Sequence, residues 1–265
     1  MVSITKIEVQ KNNKSRYSIF INRGQGEEYG FSIDEDILIK FRLHKGQQID
    51  EQELLELIEA DEERKVYHLA VHYLSFRMRS KKEIREYLLK KDKLEKYIDI
   101  AIRKLEEEKL LNDQEFARAY IQTKLLTQTK GPLKLKQELK EKGVNESIIH
   151  AQLAEIPLEH WIEKCKKWVE KKGNHSSRLS RRAKKDKLIG QLYAKGFSDT
   201  MISEALKGEQ GIEKGDDEWE AICYQGEKIK RKYRHLKGWE FKQKCKQALY
   251  RKGFTLDLID QFLEE

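Results

Sequence analysis

Lys184 to Leu206 reads KKDKLIGQLYAKGFSDTMISEAL, two short amphipathic helices on either side of a break at Lys195-Gly196. Leu188 and Leu192 are four apart and share one helical face. Gly196 is the residue type that enters the left-handed conformation just past a helix end. Ser198 is placed to cap the second helix, whose Met201, Ile202, Ala205 and Leu206 form a second apolar stripe. Alone, such a pair buries too little surface to be stable. It recurs, and the recurrence decides the fold.

Aligned on Gly196, the pattern reappears at Gly143, at Gly253 and, with aspartate in the glycine's place, at Asp92. Eight residues before each break stand Ile84, Leu135, Leu188 and Cys245; four before it stand Leu88, Leu139, Leu192 and Leu249. Lys91, Lys142, Lys195 and Lys252 come immediately before it, Ile98, Ile149, Ile202 and Ile259 six after it, and Ile102, Leu153, Leu206 and Leu263 ten after it. Agreement of four copies at five offsets identifies a tandem repeat with a period of about fifty residues. The predicted fold is mainly α: four three-helix repeats forming an elongated, curved solenoid behind a small N-terminal leader that contains strands.

Each repeat places a further helix ahead of the pair. In the first it carries Val66, Leu69, Ala70, Tyr73 and Leu74; in the second, opened by Asn112 and Glu115, it carries Phe116, Tyr120 and Ile121. Pro132 sits where the first turn of the next helix accepts proline. The third repeat follows Pro157 with Trp161, Cys165, Trp168 and Val169, and the fourth follows the glycine-dotted linker Lys207–Asp217 with Trp219, Ile222 and Cys223. The expected divisions are a leader over 1–62 and repeats over 63–111, 112–156, 157–207 and 217–265. In the leader, Ile7 and Val9, then Tyr17, Ile19 and Ile21, then Tyr29 and Phe31, read as three strands. Ser32 with Glu35 reads as a capping box for a short helix bearing Ile37, Leu38 and Phe41, and Asp50 with Glu53 as another for a helix bearing Leu54, Leu55, Leu57 and Ile58.

Charged residues make up 38% of the 265, hydrophobic ones 38%, and prolines number 2, a mixture that suits thin cores between helices. The net charge of +8 is unevenly shared, residues 1–63 being acidic and the remainder strongly basic. A basic helical array suits a polyanion or an acidic protein surface. Three cysteines without CxxC spacing point to buried thiols in a reducing compartment. No run of apolar residues is long enough to span a membrane, so a cytoplasmic protein is expected.

Arg77-Met78-Arg79-Ser80-Lys81-Lys82-Glu83-Ile84, running into Tyr87-Leu88-Leu89-Lys90-Lys91, resembles the signature R-x-R-S-x-x-E-[LI]-x-x-x-L-x-x-K of the RecX family. Phe116-Ala117-Arg118-Ala119-Tyr120, Lys130-Gly131 and Glu138 to Val144 resemble that family's second repeat. The likeness spans residues 63–206, and the leader and fourth repeat resemble its longer members. Two departures stand out: Asp92 in place of glycine, and Gln122-Thr123-Lys124 in place of a more arginine-rich run. The resemblance implies a non-enzymatic regulator that lodges in the groove of the RecA–single-stranded-DNA filament and limits its growth, ATP hydrolysis, strand exchange and coprotease activity. No cofactor and no metal are expected, nor any membrane contact, and the protein is expected to be a monomer.

The residues themselves point to basic clusters. Residues 160–196 hold Lys164, Lys166, Lys167, Lys171, Lys172, Arg178, Arg181, Arg182, Lys184, Lys185, Lys187 and Lys195 against Glu163, Glu170 and Asp186. A second cluster is Lys228, Lys230, Arg231, Lys232, Arg234 and Lys237. Each cation that neutralises a phosphate releases a counterion, giving salt-sensitive affinity without sequence readout. The candidate DNA- or partner-binding residues are Arg77, Arg79, Arg118, Lys124, Arg178, Arg181, Arg182, Lys184, Lys185, Lys187, Lys228, Lys230, Arg231, Lys232 and Arg234. Arg77 and Arg79 could instead pair with Glu83 or Glu86, Ser80 with Glu83 being a capping box. The lysines before the breaks read as cations on the last helical carbonyls, and Trp161, Trp168, Trp219 and Trp239 as core residues.

Catalytic and metal signals are weak. His68 and His72 are four apart, but the HExxH pattern is missing. Gly24, Gly26 and Gly30 have the wrong spacing for a dinucleotide loop, and Glu27-Glu28 would repel a pyrophosphate. The alternative function is a nucleic-acid-binding protein of helix-turn-helix-like modules acting without RecA on single-stranded or duplex DNA. Against it, the repeats lack a consistent set of base-reading Arg, Asn and Gln.

Overall fold

The computed structural model describes residues 1–173, 178–207 and 216–264. Two compact units emerge: Met1–Phe116 with Lys142–Asn145, and Ala117–Glu141 with the described residues from Glu146 onward. The expected linker, apart from its ends, lies outside the described residues.

The first unit opens with β1 (Val2–Val9), β2 (Arg16–Asn22) and β3 (Glu27–Asp34), followed by α1 (Glu35–Lys40), β4 (Gln48–Ile49) and α2 (Glu51–Ser75). The strands pair in the order β3-β2-β1-β4, each neighbouring pair antiparallel. Strand alternation puts Ile4, Ile19, Ile21 and Ile33 on the covered side, where Ile37, Leu43, Ile49 and Leu57 complete a small core. The acidic cap of α1 is Asp34, whose side chain accepts from the Asp36 N–H; Ser32 stays in β3, because the strand runs two residues further than the capping-box reading allowed. Asp50 and Glu53 do form the reciprocal box that opens α2.

Where the sequence suggests two helices, α2 is one of 25 residues. No glycine or proline interrupts it, and two different faces are used in succession. Leu57 packs on the sheet, while Val66 and Ala70 enter the next core with α3 (Lys81–Leu89) and α4 (Glu95–Glu107). Between these faces the buried Asp61 accepts two bonds from Arg16, at 3.2 and 2.8 Å, and one from the Asp34 N–H at 2.9 Å. A buried carboxylate is tolerable only with such partners. Arg16 on β2 therefore fastens the sheet to α2.

The second to fourth repeats are α5 (Asp113–Thr127), α6 (Pro132–Glu141) and α7 (Glu146–Ala154); α8 (Leu158–Gly173), α9 (Arg181–Ala194) and α10 (Asp199–Leu206); and α11 (Asp216–Lys232), α12 (Gly238–Arg251) and α13 (Leu256–Glu264). The residues eight and four before each break, and six after it, are buried in all four repeats. Every break has positive φ: +54° at Asp92, +78° at Gly143, +85° at Gly196 and +89° at Gly253. Lys93, Phe197 and Phe254 donate back five residues to Leu88, Leu192 and Leu249, the bond that closes a Schellman turn. Beside the glycine breaks, Val144, Phe197 and Phe254 are buried core residues that the period had not flagged.

The breaks have a second role. In the first unit the Ser80 hydroxyl, at the cap of α3, donates to the Lys142 carbonyl at 2.7 Å, and the Lys81 N–H donates to the buried Asp113 carboxylate at 2.9 Å. In the second unit Ser180, the cap of α9, donates likewise to the Lys252 carbonyl, and the Arg181 N–H donates to Glu218 at 3.2 Å. At α6 the same joint is made by backbone: the Gly131 N–H donates to the Lys195 carbonyl at 2.8 Å and the Leu133 N–H to the Gly196 carbonyl at 3.1 Å. Pro132 has no N–H, so the position that needs Asp113 or Glu218 in the other joints needs no acceptor here. The start of the middle helix in each of the first three repeats thus docks on the turn that ends the next repeat's middle helix.

That docking explains the departure at Asp92. A β-carbon on Gly143 would lie 2.6 Å from the Lys82 β-carbon, on Gly196 2.3 Å from the Lys134 nitrogen, and on Gly253 2.7 Å from the Ser180 hydroxyl. Before the first repeat comes the β-containing leader, with no three-helix repeat to dock there. Asp92 is exposed and tolerates its side chain, asparagine and aspartate being the residues that bear a left-handed φ best.

Glu83 joins capping to docking. Its carboxylate accepts from the Ser80 N–H at 3.2 Å, from Arg77 at 3.0 Å and from the Lys142 ammonium at 2.8 Å. Burial works to raise its pKa, but Arg77, Lys142 and the Ser80 N–H together prevail and hold it down to about 2, from 4.5. A carboxyl with a depressed folded pKa stabilises the fold above its unfolded value and loses that stabilisation as pH falls toward the folded one. Glu83→Gln should therefore cost roughly 1–3 kcal/mol at neutral pH. Urea titrations of parent and variant should converge as the pH falls from 4.5 to about 2. A constant gap across that window would show that the charge of Glu83 contributes nothing.

Candidate nucleic-acid interface

In the first unit, the two candidate arginines are already engaged. Arg77 forms the Glu83 ion pair and donates to the Met78 carbonyl at 2.9 Å. Arg79 lies 3.8 Å from the centroid of the Tyr73 ring and donates to the Tyr73 hydroxyl at 2.9 Å, while Tyr73 stacks on Tyr87 at 3.8 Å. Cation–π and ring stacking with a half-buried guanidinium brace α2 against α3.

In the second unit Arg118 is exposed and makes no ion pair with a described residue. Lys124 lies 5.2 Å from the Tyr120 ring, whose hydroxyl donates to Glu138 at 2.9 Å. The cluster over 160–196 divides by what each cation touches. Lys164 is turned inward to the Leu125 carbonyl; burial, then the neighbouring Lys167, pushes its pKa down. Lys167 pairs with Glu163 at 3.1 Å, Arg181 with Glu218 at 2.7 Å, and Lys195 lies over the Trp168 ring at 5.4 Å. Lys166, Lys171, Lys172, Arg182, Lys185 and Lys187 are exposed, Lys184 is half-buried, and none of the seven makes an ion pair with a described residue.

Three of the four lysines before the breaks make side-chain contacts that the helix-end reading did not include. Lys142 reaches across to Glu83, and Lys91 and Lys195 lie over the rings of Tyr87 and Trp168. Their four-carbon stems favour rings and an acid within reach over the carbonyls of their own helix ends.

The two basic clusters, far apart in the chain, meet at Tyr224. Arg178 and the Lys228 ammonium each lie 4.2 Å from its ring centroid, and Lys228 donates to its hydroxyl at 2.7 Å. Hydrogen bonds from Lys228 and then Arg178 hold the Tyr224 phenol below its ordinary pKa. The Gln225 amide fixes the Arg178 end by donating to its carbonyl at 2.7 Å. Tyr224 was not singled out from sequence; its spacing of four from Lys228 is the one local clue, and the Arg178 contact has none. Further along α11 and just past its end, Lys230 lies over the Phe262 ring at 4.1 Å and Lys232 over Tyr233 at 5.5 Å, while Arg231 and Arg234 are exposed without an ion pair to a described residue.

Of the tryptophans, Trp161 and Trp168 are buried and Trp219 packs against the core of the fourth repeat. Trp239 overturns the core reading: it is 77% exposed. It is the second residue of α12, ahead of the buried stripe of Cys245 and Leu249, so its side chain falls outside the core. Cys165 and Cys245 are buried and Cys223 is half-buried. No helix of the described residues is long and apolar enough to cross a membrane.

Family models account for most of the chain. Residues 2–50 match the regulatory protein RecX N-terminal domain, 67–105 the first RecX three-helix domain and 112–153 the second. The third matches twice, at 159–206 and 216–263. The chain is 47% identical over 266 residues to a regulatory protein RecX of Halalkalibacterium halodurans, covering 100% of both. It is 42% identical to that of a Geobacillus species over 99% of this chain and 96% of the relative. A crystal structure of regulatory protein RecX aligns with TM-score 0.67 at 32% identity, covering 76% of this chain and 97% of that one. Another, of RecX from Lactobacillus salivarius, aligns at 0.53 and 34% identity, covering 56% and 96%. With a matching leader, matching repeats in order and relatives alike over their whole length, this chain belongs to the RecX family of regulatory proteins.

Proposed function

We propose that the protein binds the RecA–single-stranded-DNA filament and lowers its ATP hydrolysis, strand exchange and coprotease activity, acting as a binding protein without catalysis of its own. The observation that carries the reading furthest is the meeting of two basic clusters at Tyr224, with most neighbouring cations left without an acidic partner. Cations without an intramolecular partner gain more from an external anion than cations already paired. Membership of the RecX family supports RecA as the partner. Many modest contacts over several repeats supply avidity where no single pocket could.

The deciding measurement is RecA-dependent ATP hydrolysis with substoichiometric protein added. Unchanged hydrolysis, or binding to naked single strands as tight as to RecA-coated ones, would support action without RecA instead.

Lys185, Lys187, Arg231 and Arg234 form the charge-reversal set, Arg181 being left out because it is committed to the joint through Glu218. Replacing these four by Glu should leave helical content intact and weaken inhibition. It should also flatten the dependence of log affinity on log salt by roughly 0.7 for each phosphate that is no longer neutralised. Parental inhibition and an unchanged salt slope would acquit these residues.

A further inference from the structure

We propose that Trp239 is a base-stacking residue that holds single-stranded DNA directly on the fourth repeat, flanked by cations for the adjoining phosphates. The proposal rests on the reading that the basic residues of this repeat face nucleic acid. It adds a contact that needs no RecA.

An indole that is 77% exposed lies outside the core of its own repeat. The corresponding second residues of α3 and α9, Lys82 and Arg182, lie against the Gly143 and Gly253 turns. On α12 that position is uncovered among the described residues, and its cap, Lys237, makes no side-chain capping bond. Among the described residues nothing covers this ring, so a ligand that stacked on it would remove its apolar face from water.

The surroundings indicate which ligand. Between Lys228 and Lys246 the chain carries basic residues throughout, with Glu240 the one acid. Lys230 is taken up by Glu227 and Lys246 by Asp260. Arg231, Lys232, Arg234, Lys237, Lys242 and Lys244 are exposed and make no ion pair with a described residue. Lys242 stands three residues after Trp239, one turn further on the same face of α12, and Lys237 two before it. An aromatic face with cations on both sides matches a splayed base between two phosphates. Stacking of this kind ignores sequence, because every base has a π-face. Duplex DNA offers phosphates but keeps its bases stacked, so the indole should discriminate strandedness. A membrane surface fits less well: Tyr233 and Phe241 are half-buried, and Trp239 and Tyr250, eleven residues apart, are the two large apolar side chains exposed on α12, where an anchoring helix needs a continuous stripe.

The test uses the full chain without RecA and a short oligothymidylate. Thymine stacking should quench tryptophan fluorescence in the parent, and Trp239→Ala should abolish most of that quench. Trp239→Ala should weaken single-strand affinity by about tenfold while changing duplex affinity little, and Trp239→Phe should restore most of it. The melting temperature should match the parent's. A single-strand affinity within twofold of the parent, equal losses on single strands and duplex, or a Trp239-dependent gain only on anionic lipid vesicles would each overturn the proposal. RecA ATP hydrolysis, assayed separately with Trp239→Ala, keeps the filament reading distinct, since failure to bind naked strands leaves inhibition of the filament untouched.

Discussion

Leu192→Asp should unfold the third repeat while leaving the sheet of the leader intact. Leu192 is fully buried on α9, four residues before the Gly196 break, and its carbonyl receives the Phe197 N–H that closes the turn. α8 and α10 pack closely on each other, with α9 against α8, so an aspartate there has no path to water. The substitution removes the burial of a leucine, about 1.5–3 kcal/mol, and adds an unpaired carboxylate, for a total of about 3–5 kcal/mol. Hydrogen exchange should accelerate over 158–206 first, because repeats couple through neighbours and can open separately. Burial raises the pKa of such an aspartate, so part of the lost stability should return as the pH falls and the group becomes neutral. The same substitution at exposed Lys185 should change stability by less than about 0.5 kcal/mol. A melting temperature equal to the parent's would mean that Leu192 is not in the core of this repeat.

That residue could be placed from sequence because helical burial is periodic. Leu88, Leu139, Leu192 and Leu249 recur at one offset, and all four are buried. The strands of the leader were legible for the same reason at a period of two, Ile19 and Ile21 falling on the covered face and Ser18 and Phe20 on the other. Where signals were local but ambiguous, geometry decided between them. Ser32 reads as the cap in the sequence, but the pairing of β3 with β2 continues through Asp34 and gives the position to Asp34. Ser198 does occupy the cap of α10, but its hydroxyl faces Thr200 at 2.9 Å instead of a helix N–H.

What resisted reading depends on contacts between distant residues. Charge alone could not separate Lys164, turned inward to Leu125, from Lys166, which is exposed. Nor could it show that Arg181 closes a joint with Glu218 while Arg178 turns to Tyr224. Composition places such residues in a basic cluster; only tertiary structure says which of them are spent inside the molecule. Trp239 was misread for a related reason: tryptophan is mostly buried, and its offset from Cys245 and Leu249 was the only warning. The glycine of each break was recognised as a turn residue, but its role in letting a neighbouring helix start approach was hidden.

That second role gives Gly196→Ala the larger of the glycine effects. Two costs add. Gly196 has φ +85°, which costs an L-residue about 1–2 kcal/mol, and a β-carbon would meet the Lys134 backbone nitrogen at 2.3 Å. Because the obstacle is backbone, α6 must shift, and the bonds from Gly131 to Lys195 and from Leu133 to Gly196 stretch with it. Overpacking of this kind adds roughly 1–3 kcal/mol, for a total of about 2–5 kcal/mol. Gly46 isolates the first cost: it has φ +87° with nothing within 4 Å of the added carbon, so Gly46→Ala should lose only the conformational part. Asp92→Ala, at the break with no preceding repeat docked on it, should cost less than either, since φ +54° there already accommodates a β-carbon. Denaturant titrations should rank the losses Gly196 above Gly46 above Asp92, with exchange at Gly131 and Leu133 amides rising in the first variant alone. Equal losses at Gly196 and Gly46 would mean that turn conformation, not the docking of one repeat on the next, is what holds glycine at the breaks.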